Sequence, residues 1–178
     1  LEVPKEKRMR IAILSSFTVE PLAMYLDIKC RLAGLCPEIY VAPFNQYPQE
    51  IMNKKSGLYI FSPYMVIIAV QAESLLGDDF LPSFLNLSDE EKGKLQTEVI
   101  KNLGSLISAL TSEMKALILV NNFVVPWFSP LGVLDNKVEV GLRGFFQELN
   151  RMLADLFRGS GQVYVVDFDG IASKHGKS

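Results

Sequence analysis

Two hydrophobic patterns alternate along this chain: short unbroken apolar runs, and longer stretches in which apolar residues recur with a helical period. Ile11 to Leu14 form the first run, and it ends in Ser15 and Ser16. Val19 to Leu35 follow with helical spacing, so the order reads as buried strand, tight polar turn and helix. Leu22, Tyr25, Leu26, Ile28 and Leu32 would form a broad apolar face on that helix, with Asp27, Lys29 and Arg31 outward. Pro21 suits its first turn, where a missing N–H costs nothing, and Gly34 ends it.

Further runs repeat the arrangement. Glu38 to Phe44 reads as a second strand, followed by a polar and aromatic loop running into a short helix over Asn45 to Met52. After a turn at Asn53 to Gly57 and a mixed stretch from Leu58 to Pro63, Met65 to Val70 is uniformly apolar, as a strand covered on both faces must be. Asp78 to Leu87 reads as an irregular, Phe-rich connection. Ser88, followed by Asp89, Glu90 and Glu91, marks a helix start that runs to about Met114. Ala116 to Val120 is a fourth run, Lys137 to Arg158 a further amphipathic helix, and Gln162 to Phe168 a fifth strand.

Strands are therefore expected near 10–15, 38–43, 65–70, 116–120 and 163–167. Parallel neighbours need crossover connections, so strands separated by helices predict an α/β fold. The expected form is a three-layer αβα arrangement with a five-stranded parallel sheet in the flavodoxin-like order 2-1-3-4-5.

Composition narrows the class. A chain of 178 residues can bury one sizeable core, and 49% apolar content suits a sheet covered on both sides. A net charge of −2 recommends neither nucleic acid nor a membrane surface as partner. Cys30 and Cys36 are too few for a disulfide framework or a thiolate zinc site, which points to reduced thiols in a cytoplasmic protein. The longest apolar runs are strand-length, and no signal-peptide pattern opens the chain. Residues 1–9 read as a linker or leading edge, 10–172 as the folded domain, and 173–178 as a tail leading to a downstream domain.

In open α/β sheets chemistry collects at the carboxyl ends of the strands. That places Ser15, Ser16 and Thr18 after the first strand, Asn45 and Gln46 after the second, Glu73 after the third, and Asn121 and Asn122 after the fourth. The loop from Phe123 to Asn136 carries Trp127 and Phe128; it either caps a pocket, meets a partner, or packs over the sheet edge. No glycine-rich phosphate fingerprint follows any strand. His175 is the only histidine, and with two cysteines no protein-built metal site is expected. The run VYVVDFDG, Val163 to Gly170, looks like the nucleophile motif of haloacid-dehalogenase phosphatases, but the rest of such a site is missing. Asp167 and Asp169 are therefore expected to be polar residues at the end of the last strand.

Ser15-Ser16-Phe17-Thr18 is similar to the nucleophile block of SGNH (GDSL-type) hydrolases, Asp-Ser-x-Thr, with Ser16 in the nucleophile position. The other blocks depart from that pattern. Glu73 stands where the oxyanion-hole Asn should be, no glycine occurs in Asn45 to Tyr47, and no Asp-x-x-His is present. A fuller resemblance covers roughly Arg10 to Ala172. ILSSFTVEPL, EIYVAPFNQYPQEI, the Ser56-Gly57-Leu58-Tyr59 turn, ILVNNF, ELNRMLADL and VYVVDFDGIA together resemble the N-terminal domain of FkbH-like proteins. In that family an SGNH-like domain precedes a haloacid-dehalogenase-type domain, and the whole is associated with loading a glyceryl unit from 1,3-bisphosphoglycerate onto an acyl carrier protein.

The resemblance implies that the catalytic Asp-x-Asp-Thr domain begins after Ser178, while the degenerate hydrolase blocks favour a binding or scaffolding module that helps present a carrier protein or acyl group to that domain. No cofactor is expected in this chain, magnesium belonging to the downstream domain. One alternative is an esterase or thioesterase using Ser16, with its histidine supplied after residue 178; another is a purely structural or oligomerising domain.

Overall fold

A computed structural model of the chain describes residues 8–176. Five strands, β1 (Arg8–Ser15), β2 (Cys36–Val41), β3 (Met65–Ala69), β4 (Leu117–Asn121) and β5 (Val163–Val166), form one sheet in the order β2-β1-β3-β4-β5. β1 pairs in parallel with β2 and with β3, and β3 with β4. The Ile118 N–H donates to the Gln162 carbonyl and the Asn122 N–H to the Val166 carbonyl, so β4 and β5 advance together as well. The expected α/β class, all-parallel sheet and strand order are thus observed. Each strand edge falls within two residues of its expected position.

Among the described residues seven α-helices lie between these strands, α1 (Glu20–Leu32), α2 (Tyr47–Met52), α3 (Gly57–Phe61), α4 (Ala72–Leu76), α5 (Phe80–Ser83), α6 (Asp89–Glu113) and α7 (Leu142–Phe157), and α8 (Phe168–His175) follows β5. Two 3₁₀ turns lie at Phe84–Asn86 and Gly132–Asn136. β1 begins at Arg8 and α8 runs to His175; residues 1–7 and 177–178, where most of the expected linker and part of the expected tail fall, lie outside the described residues. Among the described residues no helix is long and apolar enough to cross a membrane. The chain divides into two compact units, one of 1–70, 106–120 and 161–164, the other of 71–105, 121–160 and 165–178.

In the first unit Ile11 to Leu14 are wholly buried in the middle of the sheet. Ile13, Val19 and Ala69 form a core cluster, against which Phe17, Ala23, Leu26, Ile39, Val41 and Ile67 pack. The expected inner face of α1 needs correction. Leu22, Tyr25, Ile28 and Leu32 are exposed, and no residue of α1 is fully buried. At 100° per residue Val19, Ala23 and Leu26 share one stripe, and the other four fall on a different arc. Only one arc can meet the core, and the arc that does carries the smaller side chains.

The stretch after β2 is built round Glu50. Its carboxylate accepts from the Tyr40 hydroxyl at 3.0 Å and the Leu58 N–H at 2.9 Å, while its carbonyl accepts from Ser56 Oγ at 2.7 Å. The Tyr59 hydroxyl donates to the Ile51 carbonyl at 2.8 Å. A Cβ at position 57 would collide with the Tyr40 ring, so glycine is required there by space. The mixed stretch near 58–63 is accordingly helix α3, stitched to α2.

In the second unit Phe80, Phe84, Phe145 and Phe146 pack ring against ring, with centroids 5.0–6.2 Å apart. The expected irregular connection is therefore α5 and a 3₁₀ turn, folded because two of its phenylalanines are core residues. Lys92 is buried, yet its ammonium reaches Asp89 at 3.1 Å and the Val140 carbonyl at 3.0 Å, over the Phe84 ring. Ser88 and Glu91 close a capping box on α6. α7 starts at Leu142, five residues later than the spacing suggests, because a carboxylate outside the helix caps it.

Candidate functional site

The serine turn at the end of β1 is closed on itself. The Ser15 hydroxyl donates to the Phe17 carbonyl at 2.8 Å, and the Ser16 N–H donates to the Ala69 carbonyl at 3.0 Å. The Asn45 N–H reaches the Ser15 carbonyl at 3.1 Å, and the Gln46 N–H reaches the Pro43 carbonyl at 3.1 Å. Ser15, Ser16 and Asn45 are thus brought together, with the two serines buried and Thr18, Asn45 and Gln46 exposed. Asn45 has φ of 53°, the left-handed region that favours glycine and that asparagine tolerates. The amides of Ser16, Asn45 and Gln46 are thus already donating to carbonyls.

The second unit holds the remaining strand-end residues. Asn122 accepts from the Asp169 N–H at 2.8 Å through its Oδ1, and donates from Nδ2 to Asp167 Oδ1 at 2.9 Å. Asn121 Nδ2 donates to the Asn122 carbonyl at 2.9 Å. Asp167 caps α8 through the Gly170 N–H, and Asp169 accepts from the Val125 N–H at 2.6 Å. Two carboxylates that resemble a phosphatase motif therefore fasten backbone. Glu73 lies apart from this network, exposed in the first turn of α4, at the edge of a cavity of about 120 Å³ shared with Phe80 and Phe146.

Asn150 and Asp135 were not singled out by the sequence, and both hold the long loop before α7. Asn150 Oδ1 accepts from the Phe123 N–H at 2.8 Å, and its Nδ2 donates to the Phe123 carbonyl at 2.7 Å. Asn150 lies four residues after Phe146 and three before Leu153, so a polar residue on the buried stripe of α7 was the available signal. The Asp135 carboxylate accepts from Ser129 Oγ at 2.6 Å and from the amides of Leu142 at 2.7 Å and Arg143 at 3.2 Å. Burial would raise the Asp135 carboxyl, but those hydrogen bonds outweigh it and hold the group below its ordinary value. Seven residues separate Asp135 from the helix it caps, beyond the reach of a capping pattern.

With Val125 and Asp135 both held, the loop between them presents Trp127 and Phe128 to solvent, their rings 5.8 Å apart and inclined at 53°. A polar cavity of about 680 Å³ lies beside it, lined by Asn122, Glu139, Arg143, Gln147, Asn150 and Asp169 among others. His175, the chain's only histidine, sits in the last turn of α8 and is exposed. Among the described residues no group of three His, Cys, Asp or Glu side chains could hold a metal ion.

Residues 10–178 match the family described as FkbH, N-terminal domain. No curated protein matches the chain. Among solved structures the chain is similar to the N-terminal part of the protein BF1531 from Bacteroides fragilis, a structure containing a phosphatase domain complexed with Mg. The TM-score is 0.75 at 20% identity, covering 95% of this chain and 43% of that one. The chain thus spans less than half the length of that protein's crystallised part. A second similarity, to LAE5, an α/β hydrolase from the metagenome of Lake Arreo, Spain, has a TM-score of 0.48 at 12% identity, covering 94% and 80% of the two chains.

Proposed function

The chain belongs to the FkbH N-terminal domain family, and on that premise we propose that it binds and positions rather than catalyses. In this reading it is the SGNH-like module of a protein that loads a glyceryl unit from 1,3-bisphosphoglycerate onto an acyl carrier protein, in the cytoplasm. Its own task is to present the carrier protein to a downstream haloacid-dehalogenase-type domain, which alone would use magnesium.

The observation that carries this reading is the closed serine turn. An SGNH-type hydrolase needs free donors beside its serine to stabilise a developing oxyanion. Here the Ser16 amide serves Ala69, and the amides of Asn45 and Gln46 serve Ser15 and Pro43. A serine hydroxyl also needs a base, and His175 has no acid at the Asp-x-x-His spacing to orient it. Binding has positive support: Trp127 and Phe128 stand exposed on a loop anchored on either side, so little ordering entropy would be lost on docking.

The test is titration of a cognate holo-acyl carrier protein against the chain and against a Trp127→Ala, Phe128→Ala variant. Truncating an aromatic anchor removes roughly 2 kcal/mol or more, so at least a thirtyfold loss of affinity is expected. Unchanged affinity with the fold intact would remove these residues from the contact.

A further inference from the structure

The outer face of α1 has no partner among the described residues. Met24, Tyr25, Ile28 and Leu32 are 69%, 60%, 51% and 78% exposed, and Leu35, just past the helix, is 39% exposed. Tyr25, Ile28 and Leu32 follow one another at intervals of three and four residues, the spacing of a seam between paired helices, and Leu35 extends the apolar surface beyond the helix end. The stripe of Val19, Ala23 and Leu26 meets the core from another side of the helix. α1 is thus apolar on two faces, and a helix of that kind is normally covered on both.

We infer that this second face is covered by the same face of a second copy of the chain, forming a twofold dimer through α1. Two properties of the stripe favour a copy of itself. The first is area. The five side chains offer on the order of 600 Å² of apolar surface, at or above the largest patch of a typical monomer, and two such faces together reach the roughly 1,200 Å² at which stable interfaces begin.

The second is charge. The stripe carries none, and its borders carry both signs: Asp27 and Arg31 are paired with each other at 2.8 Å, and Lys29 lies over the Tyr25 ring at 5.2 Å. An isologous contact sets each border against a border of the same composition, which a single-sign rim would oppose. Here the ionic groups are already satisfied within each copy, leaving the apolar seam to meet its equivalent.

The test is the mass of the chain in solution across a concentration series, by analytical ultracentrifugation. The inference expects a species of twice the 19.9 kDa chain mass, and at least a hundredfold weaker self-association in an Ile28→Glu, Leu32→Glu variant whose circular dichroism is unchanged. Ile28 and Leu32 are exposed, so the variant should keep its fold. An independent arm is an Ile28→Cys variant, which should give a disulfide-linked dimer under mild oxidation while a Glu20→Cys control does not. A monomer at all concentrations, or a dimer that survives the double substitution, would overturn the inference. Carrier binding through Trp127 and Phe128 by a chain that stays monomeric would leave the proposed function standing while this inference fails.

Discussion

Asn150 grips both backbone groups of Phe123, accepting from its N–H at 2.8 Å and donating to its carbonyl at 2.7 Å. One side chain thereby fixes the start of the loop that carries Trp127 and Phe128. Removing it leaves a part-buried amide and carbonyl with no partner, at about 1–3 kcal/mol for an unsatisfied group. Asn150→Leu is expected to lower the unfolding free energy by about that amount, seen as a lower urea midpoint at an unchanged m-value, and to weaken carrier binding by loosening the loop. A midpoint equal to wild type would show that the loop is held by other contacts.

Asp167 and Asp169 are expected to act as fasteners and not as magnesium ligands. Asp169→Ala frees the Val125 N–H and should cost about 1–3 kcal/mol. Adding magnesium to the chain should leave its melting temperature where it was, because a ligand that binds the native state must raise it. A magnesium-dependent rise that disappears in Asp169→Ala would contradict this assignment.

The alkaline limb of stability should report Tyr40. Burial, and then the hydrogen bond to Glu50 and its charge, push the Tyr40 hydroxyl up to about 12. A group raised on folding contributes stability that is intact below its unfolded value near 10 and is lost as pH climbs through the folded value. The stability difference between wild type and Tyr40→Phe should therefore hold steady to about pH 10 and shrink between about pH 10 and 12. A difference that stays flat over that interval would show that Tyr40 titrates normally.

The acid limb should report Asp135, with the opposite sign. Its carboxyl is held low in the folded protein, so its contribution is present above the unfolded value near 4 and is lost as pH falls through the folded one. Asp135→Ala uncaps α7 and should cost on the order of 2 kcal/mol at neutral pH. The cost should fade below pH 4, as followed by chemical denaturation at a series of pH values.

Most of the sheet was legible because its strands are unbroken apolar runs separated by helix-length connections, and such runs admit few topologies. α1 was misread because its apolar residues occupy two arcs, and a one-dimensional pattern cannot say which arc faces inward. The late start of α7 and the cap by Asp135 depend on tertiary proximity. The site residues divide along the same line. Ser16 and Asn122 were found because each follows a strand, but whether their groups are free or engaged depends on partners such as Ala69 and Asp169.

The six resembling segments also gain a physical reason. ILVNNF, ELNRMLADL and VYVVDFDGIA supply Asn122, Asn150, Asp167 and Asp169, which tie one loop together. The serine turn of ILSSFTVEPL accepts the Asn45 amide of EIYVAPFNQYPQEI, and that segment joins the Ser56 turn through Tyr40 and Glu50.

Ser16 offers the most direct test of a module that binds without hydrolysing. A missing oxyanion donor costs about 10²–10³ in rate, and a missing base a further factor of roughly 10²–10⁴. The measurement is covalent labelling of the chain by a fluorophosphonate probe, beside a Ser16→Ala control and with turnover of short p-nitrophenyl esters followed in parallel. The account predicts equal background labelling in both proteins and no turnover above that of the control; stoichiometric labelling that vanishes in Ser16→Ala would contradict it and make this chain a serine esterase.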